Sequence, residues 1–123
     1  VVALGYAASA ALGRPQGFVD QVIKAGEATG ERYWQLPLYD EYRDLLKSYI
    51  ADIANVSSTR GGGTETGAKF LEEFVDAKRP WVHLDIAPTA WEEGEKPYSA
   101  KGSSGFAVTT LVELALVLSK NKK

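Results

Sequence analysis

The sequence predicts an α/β fold, a mixed β-sheet flanked by helices in an α/β/α sandwich. Three observations carry that prediction. Amphipathic helical stretches alternate with short apolar extended ones. The run from Trp81 to Ala87 has the period of two expected of a strand. No repeat and no linker divides the 123 residues, so they read as part of one domain without an internal boundary.

In order, Val1 to Ala8 is apolar and broken by Gly5, which suits a strand or a strand entering a loop. Gly13-Arg14-Pro15 punctuates it, and Pro15 fits the first turn of a helix. Phe18, Val19, Val22, Ile23 and Ala25 then recur at helical spacing, giving an amphipathic helix that stops near Gly30. Arg32 to Leu36 is extended, because Pro37 disfavours helix at the residue before it. Asp40 to Ser48 has helical character, and Ile50 to Val56 alternates weakly, as a strand would. Gly61, Gly62 and Gly63 lead into a helix with Ala68, Phe70, Leu71, Phe74 and Val75 as its apolar stripe. Thr64 or Thr66 is expected to cap that helix. Trp81 to Ala87 is a buried strand and Glu92 to Gly105 a polar loop. Ala107 to Asn121 forms an apolar helix, with Lys120, Lys122 and Lys123 at its C-terminal end.

Bulk properties remove several functions. A formal charge of -2 offers no basic footprint for nucleic acid. With no cysteine there are no disulfides or thiolate metal sites, which is compatible with a reducing cytoplasm. No apolar run reaches the roughly 18 residues of a membrane helix. The sequence opens on apolar, strand-like residues without a methionine, and is expected to be the remainder of a longer protein.

Few residues suggest chemistry. His83 and Asp85 share one face of their strand, and buried hydrogen-bonded roles suit them better than metal binding, which needs more ligands. The small residues Ala87, Pro88, Thr89 and Ala90 stand at the strand's carboxyl end, and read equally as a place where α/β sheets bind ligands or as a tight turn with nothing bound. Gly61 to Lys69 fails as a phosphate loop, since Gly67 is followed by Ala68. Glu72-Glu73 and Glu92-Glu93-Glu95 read as solvated carboxylates, and Arg14, Arg43 and Arg60 as ordinary surface charge.

Several stretches, in order, resemble one family. Gly30-Glu31-Arg32-Tyr33-Trp34-Gln35-Leu36-Pro37-Leu38 is similar to "G-E-R-x-W-R-L-P-L", and Ala51 to Val56 to "A-D-L-x-N-V". Phe70 to Val75 is similar to "F-L-K-E-F-V" and Trp81 to Ala87 to "W-x-H-L-D-I-A-G". Lys101-Gly102-Ser103-Ser104-Gly105 opens a stretch similar to "K-G-A-T-G-x-x-V-x-T-L-V-E". These belong to the cytosol (leucyl) aminopeptidase family, and the likeness covers nearly the whole chain.

The resemblance implies the C-terminal portion of a catalytic domain in a two-metal exopeptidase that releases N-terminal residues, often leucine, from peptides. It implies two divalent ions, Zn or Mn, a hexameric assembly and a cytoplasmic setting. The family's metal ligands, including those of "N-T-D-A-E-G-R-L", are absent from this sequence and are expected upstream of Val1. The segment alone is therefore expected to be inactive, with no catalytic or metal-binding residue of its own. By motif match, Ala87 and Ala90 line the pocket for the substrate's first side chain and Val56 faces the next. Pro88 stands where the family has glycine, and Glu65 and Lys69 where it is small or apolar. Those departures motivate an alternative, a non-catalytic homologue serving as scaffold or oligomerisation module.

Overall fold

The computed structural model describes residues 1–95 and 97–120. Its central strand, β1 (Ser9–Arg14), begins with four buried residues. Strand β2 (Tyr33–Gln35) pairs parallel to β1, with Ser9 opposite Tyr33. On the other side β3 (Trp81–Asp85) pairs antiparallel, with Leu12 opposite His83. The sheet is thus mixed, in the order β2-β1-β3.

Alternation along the strands sends side chains to two separate cores. On one face Ala10 and Leu12 pack with Ala68 of helix α3 (Gly63–Glu72), and Trp81 closes over them. On the other, Val82 and Leu84 pack under Val22 and Ala25 of α1 (Gln16–Ala28) and Leu114 of α4 (Val108–Lys120). Helices therefore cover both faces of the sheet. Leu12 is completely buried, a burial that contributes about 2 kcal/mol.

Local chemistry accounts for α1. Pro15 takes the N-cap position with an extended backbone. At the other end Gly30 adopts φ +79°, and the Thr29 hydroxyl donates to the carbonyls of Ala25 and Gly26. Gly26 faces Tyr33 so closely that a Cβ would lie 2.5 Å from its ring carbons. The missing side chain lets β2 dock against the helix.

Several expectations need correction. The first strand is Ser9–Arg14 and not Val1 to Ala8, which forms turns. Gly13 does not break it: β3 approaches so closely that a Cβ there would stand 2.7 Å from the Val82 Cα. The stretch from Ile50 to Val56 is not a strand; Ile50 and Val56 are exposed and no neighbouring strand pairs with it. Of Asp40 to Ser48 only α2 (Glu41–Asp44) is helical. Within the polar loop, β4 (Trp91–Glu92) and β5 (Gly102–Ser103) form a short antiparallel pair. Asn121, Lys122 and Lys123 lie outside the described residues.

Helix α3 and the charges around it also differ from expectation. Its N-cap is Gly62 at φ +61°, with no side-chain cap, because the Thr64 hydroxyl donates to Asp85 instead. Its buried face is Thr66, Ala68 and Lys69, whereas Leu71 and Phe74 are exposed. Lys69 is inside because its ammonium donates to Glu72 and Asp40, each at 2.9 Å. Burial by itself lowers the Lys69 pKa, but those two bonds raise it overall. Glu72 also accepts from Arg14 Nε at 2.7 Å, so it is not a solvated carboxylate. Arg14 extends further, donating to the carbonyls of Ala77 and Arg79 at 2.7 Å. It clamps the turn that feeds β3. Glu73, one position on, points outward and pairs with Arg43.

Candidate substrate cleft

Beyond Asp85 the chain turns sharply. The amides of Thr89 and Ala90 both donate to the Ile86 carbonyl, at 2.9 and 2.8 Å. Two hydroxyl contacts fix this turn. Fully buried Ser9 shares a 2.6 Å hydrogen bond with the Thr89 hydroxyl. The Ser104 hydroxyl donates to the Thr89 carbonyl at 2.6 Å, and its amide to the Ala90 carbonyl at 3.0 Å. Asp85 holds the strand end, accepting from Thr64 at 2.8 Å and from the Ala87 amide at 3.1 Å.

Gly30, Glu31, Arg32 and Phe106 form the facing wall. Glu31, just after the Gly30 turn, accepts from the amides of Ala107 at 2.9 Å and Thr110 at 3.1 Å, and from the Thr110 hydroxyl. Tyr33 donates to that same hydroxyl at 3.2 Å, and its ring meets Phe106 edge-on with centroids 5.2 Å apart. Burial raises the Tyr33 pKa, and the charge of Glu31 adds to the effect. Between these walls lies an open cleft of about 930 Å³, bounded among others by Tyr6, Glu31, Ala87, Thr89, Trp91 and Phe106.

His83 stacks on Trp81 at a centroid distance of 6.5 Å. Burial depresses its pKa below the ordinary 6.5, with Asp85 opposing weakly. The unfolded chain therefore takes up this proton at a higher pH than the folded one. The stability that neutral His83 confers is complete above about pH 6.5 and declines as the pH falls below it. Urea midpoints measured between about pH 7.5 and 5 should fall more steeply for the wild type than for His83→Gln. Equal slopes would place His83 outside the folded interior.

Among the described residues, no three of His, Asp and Glu are grouped so as to hold a metal ion. Asp85 is engaged with Thr64, and Glu31 with α4.

Residues 1–112 match the cytosol aminopeptidase family, catalytic domain. The chain belongs to that family. It is 57% identical over 113 residues to a probable cytosol aminopeptidase of Geobacter sp. (strain M21), covering 92% of this chain and 23% of that protein. It is 48% identical over 120 residues to one of Alkaliphilus oremlandii (strain OhILAs), covering 98% and 24%. Among solved structures it resembles the bottromycin maturation enzyme BotP in complex with Mn, at TM-score 0.89 and 40% identity over 97% of this chain and 26% of that one. It also resembles a mutant tomato leucine aminopeptidase, at TM-score 0.85 and 38% identity over 94% and 22%. The chain thus spans about a quarter of the length of these relatives.

Of the three pocket residues implied by resemblance, Ala87 stands in the cleft wall. Ala90 is half-buried in the adjoining turn and is not among the lining residues. Val56 is 72% exposed on the long loop after α2, also outside the lining. Residue-by-residue reading missed Glu31, Ser104 and Phe106. The signal was present in the Gly30-Glu31-Arg32 stretch, though nothing local reveals that its carboxylate reaches α4.

Proposed function

We propose that the protein is a metal-dependent aminopeptidase releasing N-terminal residues, leucine-type among them, from peptides. In this reading the 123 residues are the C-terminal portion of its catalytic domain and supply cleft walls and scaffold. The observation that carries it is the family match over residues 1–112, joined to an open cleft in whose wall Ala87 stands, just past the end of β3. The protein works in the cytoplasm as a homo-hexamer, with neither membrane nor nucleic acid as a partner.

Two divalent ions, Zn or Mn, would be its cofactors, and when bound they would supply an activated water and polarisation of the scissile carbonyl. The described residues of this chain do not fit such ions. Their ligands belong to polypeptide outside these 123 residues.

This chain's contribution is binding and shape. By resemblance, Ala87 and Ala90 leave room for an apolar side chain and Val56 faces the following residue of the peptide; of the three, Ala87 is the one that lines the cleft among the described residues. Pro88 presents no amide donor at the rim. The full-length protein, supplied with Mn or Zn, is expected to release p-nitroaniline from leucyl-p-nitroanilide. Chelation should abolish the release and returned metal should restore it. A folded, metal-loaded protein that cleaves neither this amide nor any leucyl peptide would end the proposal.

A further inference from the structure

We propose that Glu31 is a positioning residue that sets the width of the cleft, and so the size of substrate side chain accepted, by fixing Phe106 and the start of α4. The inference rests on the aminopeptidase reading above and adds a determinant of side-chain choice to it.

Phe106 hangs between two anchors. On one side its own amide donates to the Ser104 hydroxyl at 3.1 Å, and that hydroxyl donates to the Thr89 carbonyl at 2.6 Å. On the other side the next residue, Ala107, has φ +78°, a conformation that residues with a side chain rarely adopt. Its amide is held by Glu31. The same carboxylate takes the amide and hydroxyl of Thr110, so one side chain occupies three donors, one just before α4 and two in its first turn. A helix start has no acceptors of its own for these amides, and a negative charge suits its positive end. Tyr33 adds a bond to Thr110 and an edge contact to Phe106, seating the ring over the cleft. Without Glu31, the Ser104 anchor stays while the Ala107 anchor goes, and Phe106 is free to swing away from Ala87.

Glu31→Gln tests this with little change of shape, since the glutamine NH2 would face donors where the carboxylate accepts. In the full-length enzyme we compare leucyl- and alanyl-p-nitroanilide. The expected result is a fall of about fivefold or more in the leucine-to-alanine ratio of kcat/KM, carried by KM, with kcat for the small substrate kept within about twofold. Equal losses on both substrates, or an unchanged ratio, would overturn the inference. If Glu31→Gln does not fold, Thr110→Val removes one of the three donors at nearly constant shape. A shift of about twofold in the same ratio then supports the role, and none overturns it.

Amide hydrogen exchange separates this inference from the activity it rests on. In Glu31→Gln, or in Thr110→Val if that variant has replaced it, residues 104–112 should exchange about tenfold faster or more than in the wild type. Unchanged exchange defeats the Glu31 role even in an active enzyme. Faster exchange in a protein that cleaves neither substrate keeps the anchoring and removes only the aminopeptidase reading.

Discussion

Replacing Glu72 with alanine is expected to destabilise the fold by about 3 kcal/mol, read as a shift in the urea midpoint at neutral pH. Two cations depend on this carboxylate. Lys69, whose side chain is only 7% exposed, would keep a bond to Asp40 alone, and Asp40 is fully in solvent. Arg14 would keep its carbonyl partners but lose its countercharge. Breaking one partner of such a pair leaves buried charge uncompensated, which costs more than the intact pair gains. Asp40→Ala should matter far less, because that end of the network is hydrated. A charge-free pair, Lys69→Met with Glu72→Gln, should recover much of the loss. If Glu72→Ala unfolds at the wild-type urea concentration, the network is superficial.

Gly13→Ala should cost about as much, near 3 kcal/mol, by a different route. A methyl group here would stand 2.7 Å from the Val82 Cα and 2.9 Å from its Cγ2, and would also press on the Trp81 carbonyl. Backbone of a paired strand cannot step aside as a side chain can, so β1 and β3 would have to part. Those two strands join the cores on both faces of the sheet. Gly17→Ala is the control. A Cβ there has nothing within 4 Å, and alanine in α1 should be neutral or stabilising by up to about 1 kcal/mol. Equal midpoints for the two variants would show that the strands do not approach so tightly.

These cases also show what was readable in advance. Helix α1 was legible because Val19, Val22 and Ala25 repeat at its period, and β3 because Val82 and Leu84 alternate with His83 and Asp85. Strand β1 was not. Ser9, Ala10, Ala11, Leu12, Gly13 and Arg14 include no β-branched residue, and a glycine near the end imitates a break. What makes them a strand is the close approach of β3, which local sequence does not encode. Ile50 to Val56 fails in the opposite sense, having weak alternation but no strand to pair with. Lys69 was unreadable as an interior residue because its environment is assembled partly from Asp40, 29 positions away. The cleft divides likewise. Ala87 follows from its place after a strand, whereas Glu31 bonds residues 76 and 79 positions distant.

The outer side of α4 carries one more consequence. Val108, Leu111, Val112 and Leu116 are each more than half exposed there, while Thr110 and Leu114 face the core. Bare in dilute buffer, so greasy a seam promotes clumping before any chemistry can be assayed. Anyone handling these residues by themselves should expect colloidal behaviour to dominate, with detergent or a charged substitution on that seam as the remedy.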